Sequence, residues 1–499
     1  MRMVLDFVNH LLRGNLLVLA GVWVCAPNAL AGGTLSLAAA GYVYGFPLVL
    51  MEETLNGMTG AQRSCQLGAD LNTFVHVWQP PGPEFKAVVR PNVDTLYSSA
   101  MLDLSGGPML LDMPAVADRY VLMALLDAWS NNFAGVGTQN QGVGEGHYVI
   151  VGPGWQGEAM AGLPQHYERI DAPTDLVWII GRTEVRDDGD IAEVNRIQAQ
   201  YTLTRLSSVP EPSVPESSMP ADAQAALDEA AAPAGSEHCV PDGEKTPPIE
   251  VVQALSGREY FSRLSELMER YPPPPEDDAM VEALARLGVG PKALTPMQAL
   301  SSRQQRQIEA GRTLGLAALN LATRLLGLNG WGPNPALVPL GDFGQRYFIR
   351  AVVAQVGFGA NRGEFAVYQN AERDSRRRLL RGNAVYSMTF AADDPPPVAG
   401  FWSVTVYGED GFLRDNAVAH QLGIQRHALG SNSDLVADEQ GNITLYFANM
   451  PPVGVPLNNW LPVPEGRFQA TIRLYAPDAA ILDHQWRTPP LVKRRDLAP

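Results

Sequence analysis

Between Ser207 and Pro248 the chain carries eight prolines in 42 residues, many Ala, Ser and Glu, and almost no large apolar side chains. Proline fixes φ and gives up its amide donor, so this stretch can feed neither a helix interior nor a central strand. It reads as a linker or exposed excursion, and it divides the chain into an N-terminal and a C-terminal part. With 499 residues and roughly 150 per domain, about three domains are expected. A hydrophobic share of 46% against 18% charged supplies real cores and excludes a disordered tail protein or a fibrous repeat.

Before the linker, residues 40 to about 205 read mainly as strands. Val121 to Leu126, Tyr148 to Val151 and Leu176 to Ile180 are short apolar or β-branched runs bounded by Gly, Pro and Asn, spaced as in an all-β sandwich. An opening helix over 36–58 precedes them. After the linker the period changes. Ser256 and Glu259 make a capping box, Phe261, Leu264, Met268 and Tyr271 repeat at helical spacing, and Pro272–Pro275 stop that helix. Thr295-Pro296 predicts another helix start, and a longer helix runs from Gln304 to Leu326. From Gly330 the strand pattern returns, clearest at 384–390, 401–407, 443–447 and 468–475. The expected organisation is a mainly β, multi-domain chain: an N-terminal β domain over 32–206, a linker over 207–248, a helical middle domain over 249–330 and a C-terminal β domain over 331–499.

The first 31 residues read as a secretory signal. Arg2 and Arg13 are positive, Leu16 to Val24 is an apolar run too short for about 30 Å of hydrocarbon, and Ala29-Leu30-Ala31 offers a cleavage site. Val24 before Cys25 is a poor fit to lipidation. No later segment reads as a membrane span, and the expected location is periplasmic or secreted. Cleavage leaves two cysteines, Cys65 and Cys239, which in an oxidising compartment are a candidate disulfide, the alternative being two free thiols. The formal charge of −16, from 37 Lys and Arg against 53 Asp and Glu, repels nucleic acid and anionic membrane surfaces.

Several familiar chemistries are missing from the sequence: a glycine-rich phosphate loop, a CxxC pair, HExxH and GxSxG. What remains is polar density where the chain turns. In Arg90-Pro91-Asn92-Val93-Asp94-Thr95-Leu96-Tyr97, Asn92 and Asp94 suit an Asx-type turn, and Asp94 and Tyr97 are also candidates for acid/base or metal-binding work in a cleft. Asp127 ends the run Tyr120 to Leu126, which is apolar on both parities and so buried on both faces. A carboxylate there must be hydrogen-bonded, coordinated or protonated, and Ser130, Asn131 and Asn132 stand ready as donors. Convergence of Asp94, Asp127 and His76 would suit a hard divalent cation. Near the C-terminus, Thr471, Arg473 and Tyr475 alternate with Phe468, Ala470, Ile472 and Leu474, and Phe401, Ser403, Thr405 and Tyr407 alternate with Trp402, Val404 and Val406. Such a polar face could bind a sugar or aromatic acid, or be a wet outer face. Trp460, in Asn458-Asn459-Trp460-Leu461-Pro462, is either a rim for a ligand or a core plug. His420 and His427, seven apart, are weak evidence for metal.

These segments resemble a known pair of domains. Phe74, His76, Arg90 to Ser98, Asp127 and Val151-Gly152-Pro153-Gly154-Trp155 resemble the domain-of-unknown-function family numbered 1254. Gly359-Ala360-Asn361, Phe401 to Thr405, Asn459 to Pro462 and Arg473-Leu474-Tyr475 resemble its usual C-terminal companion, numbered 1214. The resemblance implies an immunoglobulin-like N-terminal sandwich, a helical middle domain, a jelly-roll-like C-terminal domain and bacterial export. It implies no settled activity. The chain departs from the pattern at Gly137-Thr138-Gln139-Asn140, at Asp374 to Arg378 and at His420-Gln421, so a ligand held by those turns would differ from that of the relatives.

The residues leave two functional readings. One is an exported enzyme, a hydrolase or other acid/base catalyst, acting on a small polar or aromatic molecule in an inter-domain cleft. Asp94, Asp127 and Tyr97 would be its catalytic groups, His76 a metal ligand, and Asn92, Trp402, Tyr407, Trp460, Arg473 and Tyr475 its ligand contacts. A divalent metal is its only implied cofactor. The other is a non-catalytic, homo-oligomeric protein that uses the same faces to hold a small molecule or a partner subunit.

Overall fold

The computed structural model describes residues 32–85, 90–137, 146–155, 166–206, 240, 245–326, 331–332 and 340–497. The expected signal with Cys25, most of the linker with Cys239, and Thr138 to Asn140 lie outside them. The described residues hold nine α-helices and four β-sheets, about 30% helix and 26% strand. The mainly β expectation is thereby corrected to a mixed, multi-domain one.

The chain enters through α1 (Thr34–Thr59). The N-terminal β unit follows with β1 (Val75–His76), β2 (Thr95–Asp103), β3 (Met109–Met113), β4 (Val121–Asp127), β5 (Asn132–Val136), β6 (Gly146–Val151), β7 (Glu168–Asp171), β8 (Leu176–Glu184), α2 (Ile191–Gln198) and β9 (Thr202–Arg205). The strands make a five-stranded sheet in the order β1-β2-β8-β4-β5 and a four-stranded sheet in the order β7-β6-β3-β9. The two sheets stack on a shared core that includes Leu102, Met109, Leu111, Met123, Leu125, Ile150 and Ile179.

The helical unit comprises α3 (Pro248–Ala254), α4 (Gly257–Arg270), α5 (Asp278–Ala285), α6 (Ser302–Leu326) and α7 (Tyr347–Gly357). The Ser256–Glu259 capping box forms as expected, whereas Thr295-Pro296 opens only a 3-10 turn over Met297–Ala299. The helices share one core with α1. Gly311 and Gly315, one turn apart on α6, lie so close to α1 that a Cβ would meet the carbonyls of Leu35 and Ala39 at 2.5 and 2.9 Å. α1 is therefore the centre of the helical unit, although it stands at the head of the N-terminal β domain in sequence. By length and apolar composition α1 could cross a membrane, and the expectation of no later span-like segment is corrected to that extent. Here the helix is buried inside the protein. The strand pattern expected from Gly330 is broken by α7, whose Tyr347, Phe348, Ala351, Val352 and Ala354 enter the same core.

The C-terminal β unit contains β10 (Ala366–Ala371), β11 (Val385–Phe390), β12 (Trp402–Gly408), α8 (Ala417–Gln421), β13 (Ala428–Gly430), β14 (Ile443–Ala448), β15 (Trp460–Pro462), β16 (Phe468–Tyr475), α9 (Ala479–Leu482) and β17 (Val492–Arg494). Its sheets run β10-β16-β12-β13 and β15-β14-β11-β17 and enclose Val404, Val406, Leu445, Phe447, Ile472 and Leu474.

One strand joins the two β units. Every residue of β4 is buried. Val121, Met123 and Leu125 fill the N-terminal core. Leu122, Ala124 and Leu126, with Tyr120 and Ile180, pack instead against Phe365, Phe401 and Tyr475 of the C-terminal unit. The period of two in a strand sends alternate side chains into different cores. Each buried Leu of this kind is worth about 2 kcal/mol.

Candidate functional site

The polar face of β12 and β16 is turned onto the N-terminal unit rather than outward. Trp402, Val404, Ala470 and Ile472 point into the C-terminal core. Ser403 lies opposite Arg473 in the register, and Thr405 opposite Thr471. Ser403, Thr405, Tyr407, Thr471, Arg473 and Tyr475 are all buried. The loop that meets them is the Asn92–Asp94 turn before β2.

That turn forms as its composition suggests. The Oδ1 of Asn92 accepts from the Asp94 amide at 2.8 Å, and its Nδ2 donates to Thr95 Oγ1 and Tyr475 OH at 2.9 and 3.0 Å. The Asp94 carboxylate accepts from Tyr475 OH at 3.1 Å and from Ser403 Oγ. Arg473 closes the network. Its Nη1 donates to Thr405 Oγ1 at 2.7 Å, and its Nη2 to Tyr407 OH and the carbonyls of Arg90 and Pro91 at 2.7, 3.0 and 3.2 Å. Tyr407 OH donates to the same Pro91 carbonyl at 2.7 Å. Burial opposes the charge on Arg473, yet Tyr407, Asp94 and Tyr475 beside it hold its pKa above the ordinary value. Asn92, Asp94, Tyr407, Arg473 and Tyr475 thus come together, as five of the expected site residues, in a seam between the two β units.

At the margin of this seam sits a group that sequence reasoning alone misses. Arg182, on the central strand β8, is 5% exposed. Its Nη1 donates to Asn361 Oδ1 at 2.8 Å, and its Nη2 lies 3.4 Å from the Gly359 carbonyl. Its Nε is buried without a hydrogen-bond partner among the described residues. Nη1 also lies 3.3 Å from the Ile180 carbonyl, and the guanidinium stands 5.3 Å from the ring centre of Tyr97, whose side chain hydrogen-bonds it as well. Asn361 passes the contact on to Tyr368 OH at 3.2 Å, and both Tyr97 and Tyr368 are half-buried. Desolvation disfavours the Arg182 charge, but Tyr368, Tyr97 and Tyr120 raise its pKa overall. Gly359 has φ +81°, and a Cβ there would meet Ile180 Cδ1 at 2.5 Å. Only glycine presents that carbonyl to Arg182 without strain. The available signal was an arginine two residues beyond the apolar run Leu176 to Ile180.

The remaining expected residues lie elsewhere. Asp127 is opposite Val177 in the register, whereas Asp94 accepts from the amide of Val185. Eight residues of one strand separate them by about 26 Å, so they form no carboxylate pair and no shared cation site with each other. Among the described residues no three His, Cys, Asp or Glu side chains converge as metal ligands. Asp127 instead secures the β4–β5 turn, accepting from the Asn131 amide and Nδ2 at 2.8 and 3.0 Å. Burial pushes its carboxyl up to about 6, against the lowering by Asn131 and Arg350. His76 shares a 2.8 Å hydrogen bond with Ser98 and packs beside Phe74 and Trp78. Burial lowers its pKa to about 4. Trp402 faces away from the seam, 4.4 Å from Phe390. Trp460 is a core plug, fully buried with its Nε1 on the Ala448 carbonyl at 2.9 Å. The Asp374 turn closes on itself, its carboxylate taking the amides of Arg376 and Arg378 at 2.9 Å.

Residues 71–205 match the family model described as protein of unknown function DUF1254, and residues 365–479 match that described as protein of unknown function DUF1214. The fold is similar to the crystal structure of the VPA0106 protein from Vibrio parahaemolyticus, at 20% identity and a TM-score of 0.65, over 93% of this chain and 100% of that one. An uncharacterized protein from Burkholderia cenocepacia aligns at 12% identity and a TM-score of 0.39, over 97% of this chain and 94% of that one. No curated protein matches the chain.

Proposed function

We propose that this chain, which carries a DUF1254 domain followed by a DUF1214 domain, is an exported protein that holds a small polar or aromatic acid between its two β units. The observation that carries this reading is Arg182, a nearly buried cation with an unpartnered Nε, flanked by the half-buried Tyr97 and Tyr368. A guanidinium suits a carboxylate, and two tyrosines offer ring faces and hydroxyls at little entropic cost. Asp94, Asn92, Tyr407, Arg473 and Tyr475 then form the scaffold that holds the two units in register. Binding is favoured over acid/base catalysis because the Asp94 carboxylate already accepts from Ser403 and Tyr475, and a general base must reach the proton it takes. In this reading the N-terminal unit is immunoglobulin-like and the C-terminal unit jelly-roll-like, which the two paired sheets of each unit support.

Isothermal titration with benzoate and 4-hydroxybenzoate tests the site. Saturable binding of one of these probes is expected, with Tyr97→Phe and Tyr368→Phe each weakening it by about 2- to 10-fold, the worth of one hydrogen bond. An unmodified chain that binds neither probe would end the reading.

Export and the cysteine bridge belong to the same proposal. The Cys65 amide donates to the Val240 carbonyl at 3.2 Å, and the Val240 amide to Arg63 at 2.9 Å, which brings the neighbour of Cys239 alongside Cys65. Protein recovered from the periplasm is expected to start at Gly32, to appear as a homo-oligomer in native mass spectrometry, and to take up no alkylating reagent before reduction. Labelling of both cysteines without reductant would rule out the bridge.

A further inference from the structure

Two short runs far apart in sequence meet at one edge of the C-terminal unit and gather cations there. Residues 373–378 read Arg-Asp-Ser-Arg-Arg-Arg and residues 491–496 read Leu-Val-Lys-Arg-Arg-Asp, so twelve residues hold seven of the 37 Lys and Arg in a chain of formal charge −16. β17 is the edge strand of the sheet β15-β14-β11-β17. The Ser375 amide donates to the Leu491 carbonyl at 2.8 Å, which seats the 373–378 turn beside the start of β17. Lys493 lies opposite Tyr386 in the register, and the Tyr386 hydroxyl accepts from the Arg381 amide at 3.2 Å, just after the turn. The backbones at Arg376 and Lys493 are therefore no more than about 16 Å apart.

The turn is held rigidly. Asp374 is buried, and besides the amides of Arg376 and Arg378 its carboxylate takes Nε and Nη2 of Arg378 at 3.0 and 2.7 Å. Arg373 Nη1 donates to the Arg377 carbonyl at 3.0 Å. Arg377 itself has φ +62°, a left-handed conformation that glycine or asparagine adopts at lower cost. Strain kept at one long side chain points to a use for that side chain. The acids at hand are engaged: Asp374 with Arg378, Asp496 with Arg494 at 2.9 Å, and Glu372 with Arg90 at 3.7 Å. Arg376, Arg377, Lys493 and Arg495 are exposed and have no carboxylate partner among the described residues. We propose that this edge is a docking surface for an extended acidic segment of a partner protein. Guanidinium forks match carboxylates, and an edge strand offers its main-chain groups to an extended chain. A broad anionic surface fits less well, because the acidic remainder of the chain would face it too. A short segment meets only the cations within a Debye length of about 8–10 Å.

The test is fluorescence anisotropy of fluorescein-labelled octaglutamate with the protein, with thermal melts of each variant. Saturable binding is expected at about 20 mM salt, weakening at least about tenfold by about 300 mM. The double substitutions Arg376→Gln with Arg377→Gln, and Lys493→Gln with Arg495→Gln, should each weaken it by about 2- to 30-fold, the worth of two exposed ion pairs. Arg377→Gly relieves the left-handed backbone, so it is expected to weaken binding while the melting temperature holds or rises. Arg303→Gln with Arg306→Gln removes the same charge from the exposed start of α6 and should leave binding unchanged. No saturable binding, an equal loss in the Arg303 and Arg306 variant, or binding to phosphatidylglycerol vesicles without binding to the peptide would each overturn the proposal.

Discussion

Replacement of Arg473 by methionine is expected to lower the unfolding free energy by about 3–5 kcal/mol, the usual cost of removing one member of a buried charged network. Methionine nearly matches the stem in length, so the effect isolates the guanidinium. Four oxygens lose a donor: Thr405 Oγ1, Tyr407 OH and the carbonyls of Arg90 and Pro91. Asp94 loses the cation beside it. Two of those oxygens belong to the N-terminal unit and two to the C-terminal unit, so the substitution acts on the joint between them. A single cooperative urea transition is therefore expected to broaden or split, since a weakened interface lets the units unfold separately. Arg473→Lys should recover little, because an ammonium cannot reproduce the fork that spans Thr405 and the two carbonyls. A loss below about 1 kcal/mol with an unchanged transition would mean that the apolar contacts around Tyr120, Phe401 and Tyr475 hold the joint alone.

That joint was half legible in the sequence. The alternation in β12 and β16 assigned Ser403, Thr405, Tyr407, Arg473 and Tyr475 to one face, because strand periodicity is a local property. The cover of that face is a long-range fact: Asn92 meets Tyr475 across 383 positions. The double-sided apolar run before Asp127 announced burial on both faces, and β4 does close two cores. The partner of its outer face could not be read from it. The same limit explains Trp402 and Trp460, whose rings satisfy an exposed rim and a packed core equally well until the neighbouring strands are placed. Arg182 was missed for a related reason. The arginine is visible beside its apolar run, but its place opposite Tyr97 is a matter of register across 85 residues, which the run itself does not disclose. α7 escaped because its short run, apolar at eight of eleven positions, shows no clear helical period and finds its core on α1, about 300 positions earlier.

The half-buried His76 and the buried Asp127 are expected to shape the acid limb of stability in opposite directions. Unfolded His76 takes a proton near 6.5, while the folded ring, desolvated between β1 and its aromatic neighbours, takes one only at about 4. Its contribution is fully present above pH 6.5 and is lost as the pH falls towards 4. Unfolded Asp127 releases its proton near 3.8, while the folded carboxyl, buried at the end of β4, holds it up to about 6. Its contribution is greatest below 3.8 and is lost as the pH rises through 6. At 1.36 kcal/mol per pKa unit each effect amounts to about 3 kcal/mol at most, so between pH 4 and 6.5 they largely cancel. Single substitutions separate them. His76→Asn keeps a polar atom towards Ser98 without titrating, and relative to the unmodified chain it should gain about 3 kcal/mol on going from pH 7 to 4. Asp127→Asn still accepts from the Asn131 amide, and relative to the unmodified chain it should lose about the same amount over that interval. Urea unfolding of the three proteins at pH 7, 5.5 and 4 reads both differences, and every other titrating group drops out of the comparison. If both differences stay constant with pH, neither group titrates abnormally in the folded protein. If only the Asp127 difference moves, His76 is hydrated at the sheet edge beside Phe74 and Trp78.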